Sequence, residues 1–383
     1  MHYYVHAQHF VLKDQKQEGG YLEIQDGRFQ GYQEERPQEG TILDFAYSWV
    51  AAGLVDTHIH GYRDHDVMDA DPEGLREISR GIVENGVCSY LPTTLTASVD
   101  QLNKVCAMIG EAEDPEDGAK IQGAFLEGPF FTEKHKGAQN SDYFMDPSVE
   151  VFHHWNELAK GRIRKIAIAP ERRGAEEFIR TLTAEGVHVA LGHGDADYDT
   201  ARACVEAGAD IFVHCYNGMS GLHHRNPGMV GCCLTSPETV AELICDGHHV
   251  HPKAVDIVVK SKGPNHCALI TDCMRAGGMP DGHYHLGELP VIVSEGTARL
   301  EEGGNLAGSI LRLKDGVKNV VKWDVADVEQ ALRMASEVPA RSVGIDDVCG
   351  SIAPGRAADF IVLSPELELE KTFLNGKEVY SAR

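Results

Sequence analysis

No run of apolar residues in this 383-residue chain is long enough to cross a bilayer, because a spanning helix needs about 20 apolar residues in succession. Met1-His2-Tyr3-Tyr4-Val5-His6 has neither the basic start nor the apolar stretch of a secretory leader. There are ten cysteines, but none forms a Cys-x-x-Cys pair and no spacing suggests a disulfide framework. Scattered free thiols point to a reducing compartment, so a cytoplasmic protein is expected. Positive charge is scarce: 35 Lys and Arg stand against 59 Asp and Glu, a formal net charge of -24. That sign excludes nucleic acid and anionic membranes as expected partners. An anionic ligand would have to be drawn by local positive groups. Internal repeats and low-complexity segments are also missing, which excludes solenoids and arrays.

What is present is a 42% hydrophobic chain, enough to bury a large core. Its two ends read as strands. Tyr21-Leu22-Glu23-Ile24 and Arg28-Phe29 flank Asp26-Gly27, and Thr372-Phe373-Leu374 and Glu378-Val379-Tyr380 flank Asn375-Gly376; both are hairpin signals. Ala358 to Leu363 reads as a further strand. Neither end makes a stable sheet alone, so residues 1–50 and 345–383 are expected to pack together as one small β domain, a β-sandwich. Residues 51–344 alternate short apolar runs with helical patterns, which predicts βα units around a parallel sheet. Asp71 as N-cap, Pro72 at the first position, Leu75, Ile78, Ile82 and Val83 on one face and Gly86 as stop predict the first helix. Further helices are expected around Phe178–Leu182, around Ala201–Val205 and after Pro252. Candidate strands are Leu54-Val55, Ser89–Leu91, Ala124–Leu126, Ile166–Ile168, Val187–Leu191, Ile211–Val213, Ala241–Ile244 and Cys267–Ile270. Eight such units predict a (β/α)8 TIM barrel. Between Val213 and Ala241 the pattern is loop-rich, and a hairpin around Glu295-Gly296 follows the eighth strand.

The residues that end these strands carry chemistry. His58 and His60 follow the first strand, and on extended chain residues i and i+2 face the same side. Glu127 follows the third, His193 the fifth, His214 the sixth, Asp246 with His248 and His249 the seventh, and Asp272 the eighth. Each alone has an ordinary explanation as a loop carboxylate or a core histidine. Together they stand where a TIM barrel places its active site. Imidazoles with a carboxylate suit zinc, iron and related ions. The chemistry they imply is metal-assisted hydrolysis, with one or two divalent ions acidifying water and Asp272 carrying the proton as general acid and base.

The chain resembles the amidohydrolase superfamily, and within it the N-acetylglucosamine-6-phosphate deacetylase family. The resemblance runs from Gly53-Leu54-Val55-Asp56 to Pro354-Gly355-Arg356-Ala357-Ala358-Asp359. It rests on Leu126-Glu127-Gly128-Pro129, His214-Cys215-Tyr216-Asn217-Gly218-Met219, Arg225-Asn226-Pro227-Gly228, Asp246-Gly247-His248-His249-Val250, Ile270-Thr271-Asp272 and Asn305-Leu306-Ala307-Gly308-Ser309. It implies removal of acetyl from the 2-amino group of a hexosamine 6-phosphate. Glu127, His193 and His214 would hold the main metal, and His58 and His60 would complete a second site. Asp272 matches the acid/base residue. Ala138, Asn217, Gly218, His249, Leu306, Ala307 and Gly308 would contact the substrate. Arg225 would reach the sugar phosphate from the neighbouring subunit of a homodimer.

Three positions depart from the family pattern. Gln139 replaces a histidine that polarises the acetyl carbonyl in some members; its amide N–H can still donate to an oxyanion. His248 stands where leucine is usual and Gly218 where alanine is usual, which leaves glucosamine and galactosamine substrates both open. His223, His224 and His251 are expected to be no ligands, and Cys215 and Cys273 to pack away from the site. A dihydroorotase-like enzyme or an N-acyl-amino-acid deacylase would not account for the Arg225 and Leu306 segments. A non-catalytic sugar-phosphate binder would have no use for Asp272.

Overall fold

The computed structural model describes residues 1–382. Its larger part is a barrel of eight parallel strands, Leu54–Ile59, Val87–Pro92, Ala124–Phe130, Ile163–Ile168, His188–Leu191, Ile211–Phe212, Val240–Ile244 and Cys267–Ile270. The last six form one parallel ladder in chain order, and the first two pair in another with the short strand Lys120–Ile121. Single parallel bridges, Thr93 to Phe125 and Ile59 to Cys273, join the two ladders at both seams. All six residues of the first strand and all seven of the third are buried, as strands covered on both faces must be. That burial explains why they read as apolar runs rather than alternating ones. Val55, Leu91, Phe125, Ala167, Ala190 and Ile211 fill the interior together with Ala340, Val343 and Ile345.

Helices cover the barrel, including Pro72–Ile82, Ala175–Ala184, Tyr198–Ala207 and Pro252–Lys262. The first starts where expected: the Asp71 carboxylate accepts from Glu73 N at 3.1 Å, satisfying a donor the helix cannot. Leu75, Ile78 and Ile82 face the core. Val83 belongs instead to a 3-10 turn, Val83–Asn85, closed by Gly86 at φ 80°. Several helices were not anticipated, among them Val99–Glu111, Val149–Leu158 and Leu313–Lys322. The loop-rich stretch after the sixth strand holds the helix Gly228–Thr235. The insert after the eighth strand has three strands, Gly282–Leu286, Leu289–Ser294 and Thr297–Leu300. The first of these escaped the sequence pattern because its exposed positions are histidines.

The chain termini build one eight-stranded sheet in which Phe360–Leu363 pairs antiparallel with Thr41–Ala52. The sheet turns back on itself as a β-sandwich. Phe29 and Phe360 rings lie 6.1 Å apart, and Phe29 N donates to Arg356 O at 3.0 Å. Tyr3, Val5, Ala7 and Phe10 of the strand His2–Val11 join Val50, Phe360 and Phe373 in its core.

Candidate active site

The strand ends place their side chains over one mouth of the barrel. His58 lies within the first strand and Glu127 within the third. His193, His214 and Asp272 each sit just past a strand with φ of 47°, 31° and 50°. Left-handed backbone is uncommon outside glycine, and at these three positions it turns the chain sharply as the side chain is delivered.

Glu127 is the hub. Its Oε1 lies 3.3 Å from His58 Nε2, 3.3 Å from His193 Nε2 and 3.1 Å from His214 Nε2. Its Oε2 lies 3.4 Å from His60 Nε2. Asp272 Oδ1 approaches His60 Nε2 at 3.1 Å and His58 Nε2 at 3.7 Å. Each imidazole is fixed from behind through Nδ1: His60 to Thr93 O at 3.2 Å, His193 to His135 O at 3.1 Å, His214 to Asn217 O at 3.0 Å, and His58 to Glu242 Oε2 at 3.2 Å. Four ε-nitrogens therefore converge with their orientation settled. At Gly218, φ 63°, a Cβ would stand 2.9 Å from His193 Nδ1, so the alanine usual at this position would need the ring or the turn to shift.

Charge is crowded. Burial opposes ionisation of Glu127, yet His58, His193 and His214 hold its carboxyl well below the usual range. Burial lowers His58, but the Glu127 and Asp272 charges outweigh it and raise it to about 10. His60 moves up for the same reasons. Burial dominates at His214, which moves down. Asp272 moves down because His58 and His60 outweigh its burial.

This set fits a divalent metal. His58 Nε2 is buried with no hydrogen-bond partner. His58, His60 and Glu127 form one group with ligand atoms within 4.8 Å of one another, and Glu127, His193 and His214 form another. All the donors are imidazole nitrogens and carboxylate oxygens, the kind zinc and iron accept.

A cavity of about 300 Å³ opens over the cluster. Of the expected substrate contacts, Ala138, Gln139, Asn217, Gly218, His249, Leu306 and Gly308 line it, beside His60, Glu127, His193, His214 and Asp272. Ala307 is fully buried, so its side chain faces inward from the turn. Gln139 donates to Glu127 Oε2 at 2.6 Å and accepts from Thr96 N at 2.9 Å, so one amide hydrogen is already committed to the hub. His249 is oriented by Asp246, Nδ1 to Oδ2 at 2.7 Å. Arg225 is not brought in: it lies in the exposed turn His223–Asn226, and its guanidinium meets His224 Nε2 at 2.8 Å. His248 is exposed, close to Gly296 of the insert, rather than on the cavity wall. His251 caps the helix Pro252–Lys262, and Cys215 packs on Cys233.

Sequence reasoning missed Glu242 and Lys165, both fully buried beneath His58. A signal existed for Glu242, the lone charge in an otherwise apolar strand; Lys165 follows the exposed Arg164 in its strand and had none. Leu95 and Leu286 on the cavity wall were missed as well, since apolar residues carry no mark of their own; Asn305, quoted within its motif but not expected to touch substrate, lines the wall too.

A model described as the amidohydrolase family matches residues 49–379. Over 331 residues the chain is 46% identical to N-acetylglucosamine-6-phosphate deacetylase of Vibrio furnissii, covering 86% of this chain and 82% of that protein. It is 40% identical over 324 residues to N-acetylgalactosamine-6-phosphate deacetylase of Escherichia coli O157:H7, covering 84% and 85%. The crystal structure of N-acetyl-D-glucosamine-6-phosphate deacetylase from Mycobacterium smegmatis superposes with a TM-score of 0.91 at 28% identity, over 99% of this chain and 100% of that one.

Proposed function

The chain belongs to the amidohydrolase family, and from that premise we propose that it hydrolyses the acetamide of an N-acetyl-hexosamine 6-phosphate, releasing acetate and the amino sugar phosphate. The glucosamine configuration is the first choice, because identity to the glucosamine enzyme is 46% against 40% for the galactosamine enzyme. The observation that carries the proposal is the convergence of four imidazole Nε2 atoms on Glu127, with Asp272 Oδ1 3.1 Å from one of them, at the floor of the cavity.

His58, His60, Glu127, His193 and His214 would hold one or two divalent ions, zinc or iron by donor type. Such an ion, when bound, supplies acidified water at neutral pH and Lewis-acid pull on a carbonyl oxygen. The protein groups do the rest. The Nδ1 contacts fix each ring so that no orientation is lost during turnover. Asp272 takes a proton from water as the water oxygen bonds to the acetyl carbon. It returns that proton to nitrogen as the C–N bond breaks, so the amine leaves neutral. Gln139 keeps Glu127 in place and has a second amide hydrogen free for the acetyl oxygen. His249, held by Asp246, faces the sugar. Arg225 would grip the phosphate of the adjoining protomer in a homodimer. Its exposed position and lack of a carboxylate partner among the described residues support that role, and its fork suits phosphate oxygens.

The test is acetate release from N-acetylglucosamine 6-phosphate and N-acetylgalactosamine 6-phosphate side by side, before and after chelation. Turnover of either sugar that stops on chelation and returns with metal is the expected result; the ratio assigns the sugar. No acetate from either with metal present refutes the proposal.

A further inference from the structure

Beneath the metal-facing histidines lies a buried ion pair that the hydrolysis above does not use. Lys165, in the fourth barrel strand, and Glu242, in the seventh, both have fully buried side chains. Lys165 Nζ donates to Glu242 Oε1 at 2.5 Å and to Thr57 O at 3.1 Å, and lies 3.7 Å over the Phe125 ring. The other carboxylate oxygen of Glu242 faces His58 Nδ1 at 3.2 Å. The relay Lys165–Glu242–His58 ends at His58 Nε2, the buried nitrogen with no hydrogen-bond partner.

Stability does not explain this arrangement. Two charges in a dry interior cost solvation that their attraction barely recovers, and apolar residues of like size usually serve as well. The other three histidines also show that a carboxylate is not needed to hold a ring. His60, His193 and His214 rest their Nδ1 on backbone carbonyls. His58 alone has a side-chain anion there, and that anion carries its own counter-charge.

A carboxylate behind an imidazole fixes the Nδ1–H tautomer and makes Nε2 a stronger donor to a metal than a carbonyl does. Lys165 keeps the carboxylate ionised where burial would protonate it. We propose that Lys165 and Glu242 are positioning residues that tune His58 as a ligand, selectively strengthening the divalent-ion site built on His58, His60 and Glu127 over the one built on Glu127, His193 and His214. This rests on the reading of His58 as a ligand.

The experiment titrates Zn²⁺ into the chelator-stripped full-length protein by competition with a chromophoric chelator, so its readout is affinity rather than turnover. Three variants are compared: Glu242→Gln, the double change Lys165→Met with Glu242→Gln, and His58→Asn. The double change matters because the single one leaves an uncompensated buried ammonium that can unfold the protein. The expected result is that one ion is weakened about 10–100-fold in Glu242→Gln and in the double variant, the range for lost outer-shell partners, while the other ion binds as in the parent. His58→Asn should abolish the same ion. If the double variant folds and binds both ions as the parent does, or loses both equally, the positioning role is wrong. If His58→Asn leaves both ions untouched, the ligand reading of His58 fails instead.

Discussion

The histidine end of the cavity and the Arg225 turn are built to opposite standards. At the histidine end the rings are almost wholly inaccessible, each is tied through Nδ1, and the side chains hang from barrel strands. Arg225 sits in the exposed turn His223–Asn226, with a neighbouring histidine as its contact. Bond making needs groups held to fractions of an ångström, which rigid strands supply. Gripping a phosphate needs charge and reach, which a loop supplies. One end is finished within a single chain; in the function proposed above, a second chain completes the other.

The largest effect should come from breaking the finished end at Asp272, the proton carrier proposed above. Asp272→Asn keeps the side chain's size and removes its ability to carry a proton. kcat should fall at least about 100-fold, the lower end for lost general acid–base catalysis, with metal content by elemental analysis near that of the parent. A collapse of metal content together with activity would make Asp272 a ligand, and His249 would be the next carrier to test.

A smaller effect is expected at the open end. Arg225→Ala removes charge-assisted hydrogen bonds worth about 1.5–3 kcal/mol, so KM for the phosphorylated sugar should rise roughly 10–100-fold with kcat little changed. Turnover of the unphosphorylated sugar should be unaffected. Mixing Arg225→Ala with Asp272→Asn subunits should restore activity, because a hybrid dimer pairs an intact proton carrier with an intact arginine. Equal losses on both sugars, or a strictly monomeric enzyme, would erase the contrast between the two ends.

The same contrast governs what could be read from the sequence. The strand-end residues were legible because a parallel barrel repeats one geometric rule, so His58, Glu127, His193, His214 and Asp272 reach one place by topology. Glu242 and Lys165 were not, because a charge in a short strand, Glu242 alone and Lys165 beside Arg164, looks like a solvent-facing position until both sheet faces are known to be covered. The terminal hairpins announced themselves through Asp26-Gly27 and Asn375-Gly376, whose φ values of 51°, 76°, 48° and 71° need just such residues. The first strand of the insert, Gly282–Leu286, had no comparable punctuation, and the helices Val99–Glu111 and Val149–Leu158 offered only the N-caps Ser98 and Ser148. Arg225 was singled out by resemblance alone; its exposure and its lack of a carboxylate partner among the described residues show only once the chain is folded.

The smallest effect separates the two halves of the histidine end itself, through the pH dependence of metal uptake by chelator-stripped enzyme. His58 is raised to about 10, so through the neutral range it keeps a proton that a metal must displace from the ring. His60 is raised as well. Burial moves His214 the other way, and Glu127 stays ionised far below neutrality, so neither adds a proton to be expelled near pH 7. Displacing one proton makes affinity rise about tenfold per pH unit. The sign is positive because a raised imidazole pKa extends the protonated form upward, and the rise should flatten only near pH 10, where His58 gives up its proton unaided. The ion on His58 and His60 should therefore gain affinity steeply between pH 6.5 and 8.5, while the ion held with His214 changes less. Zn²⁺ competition at three pH values measures both slopes, and calorimetry in buffers of different ionisation enthalpy counts the protons released. Equal slopes for the two ions would mean that the positive charge balancing Glu127 and Asp272 is shared by all the histidines rather than placed on His58 and His60.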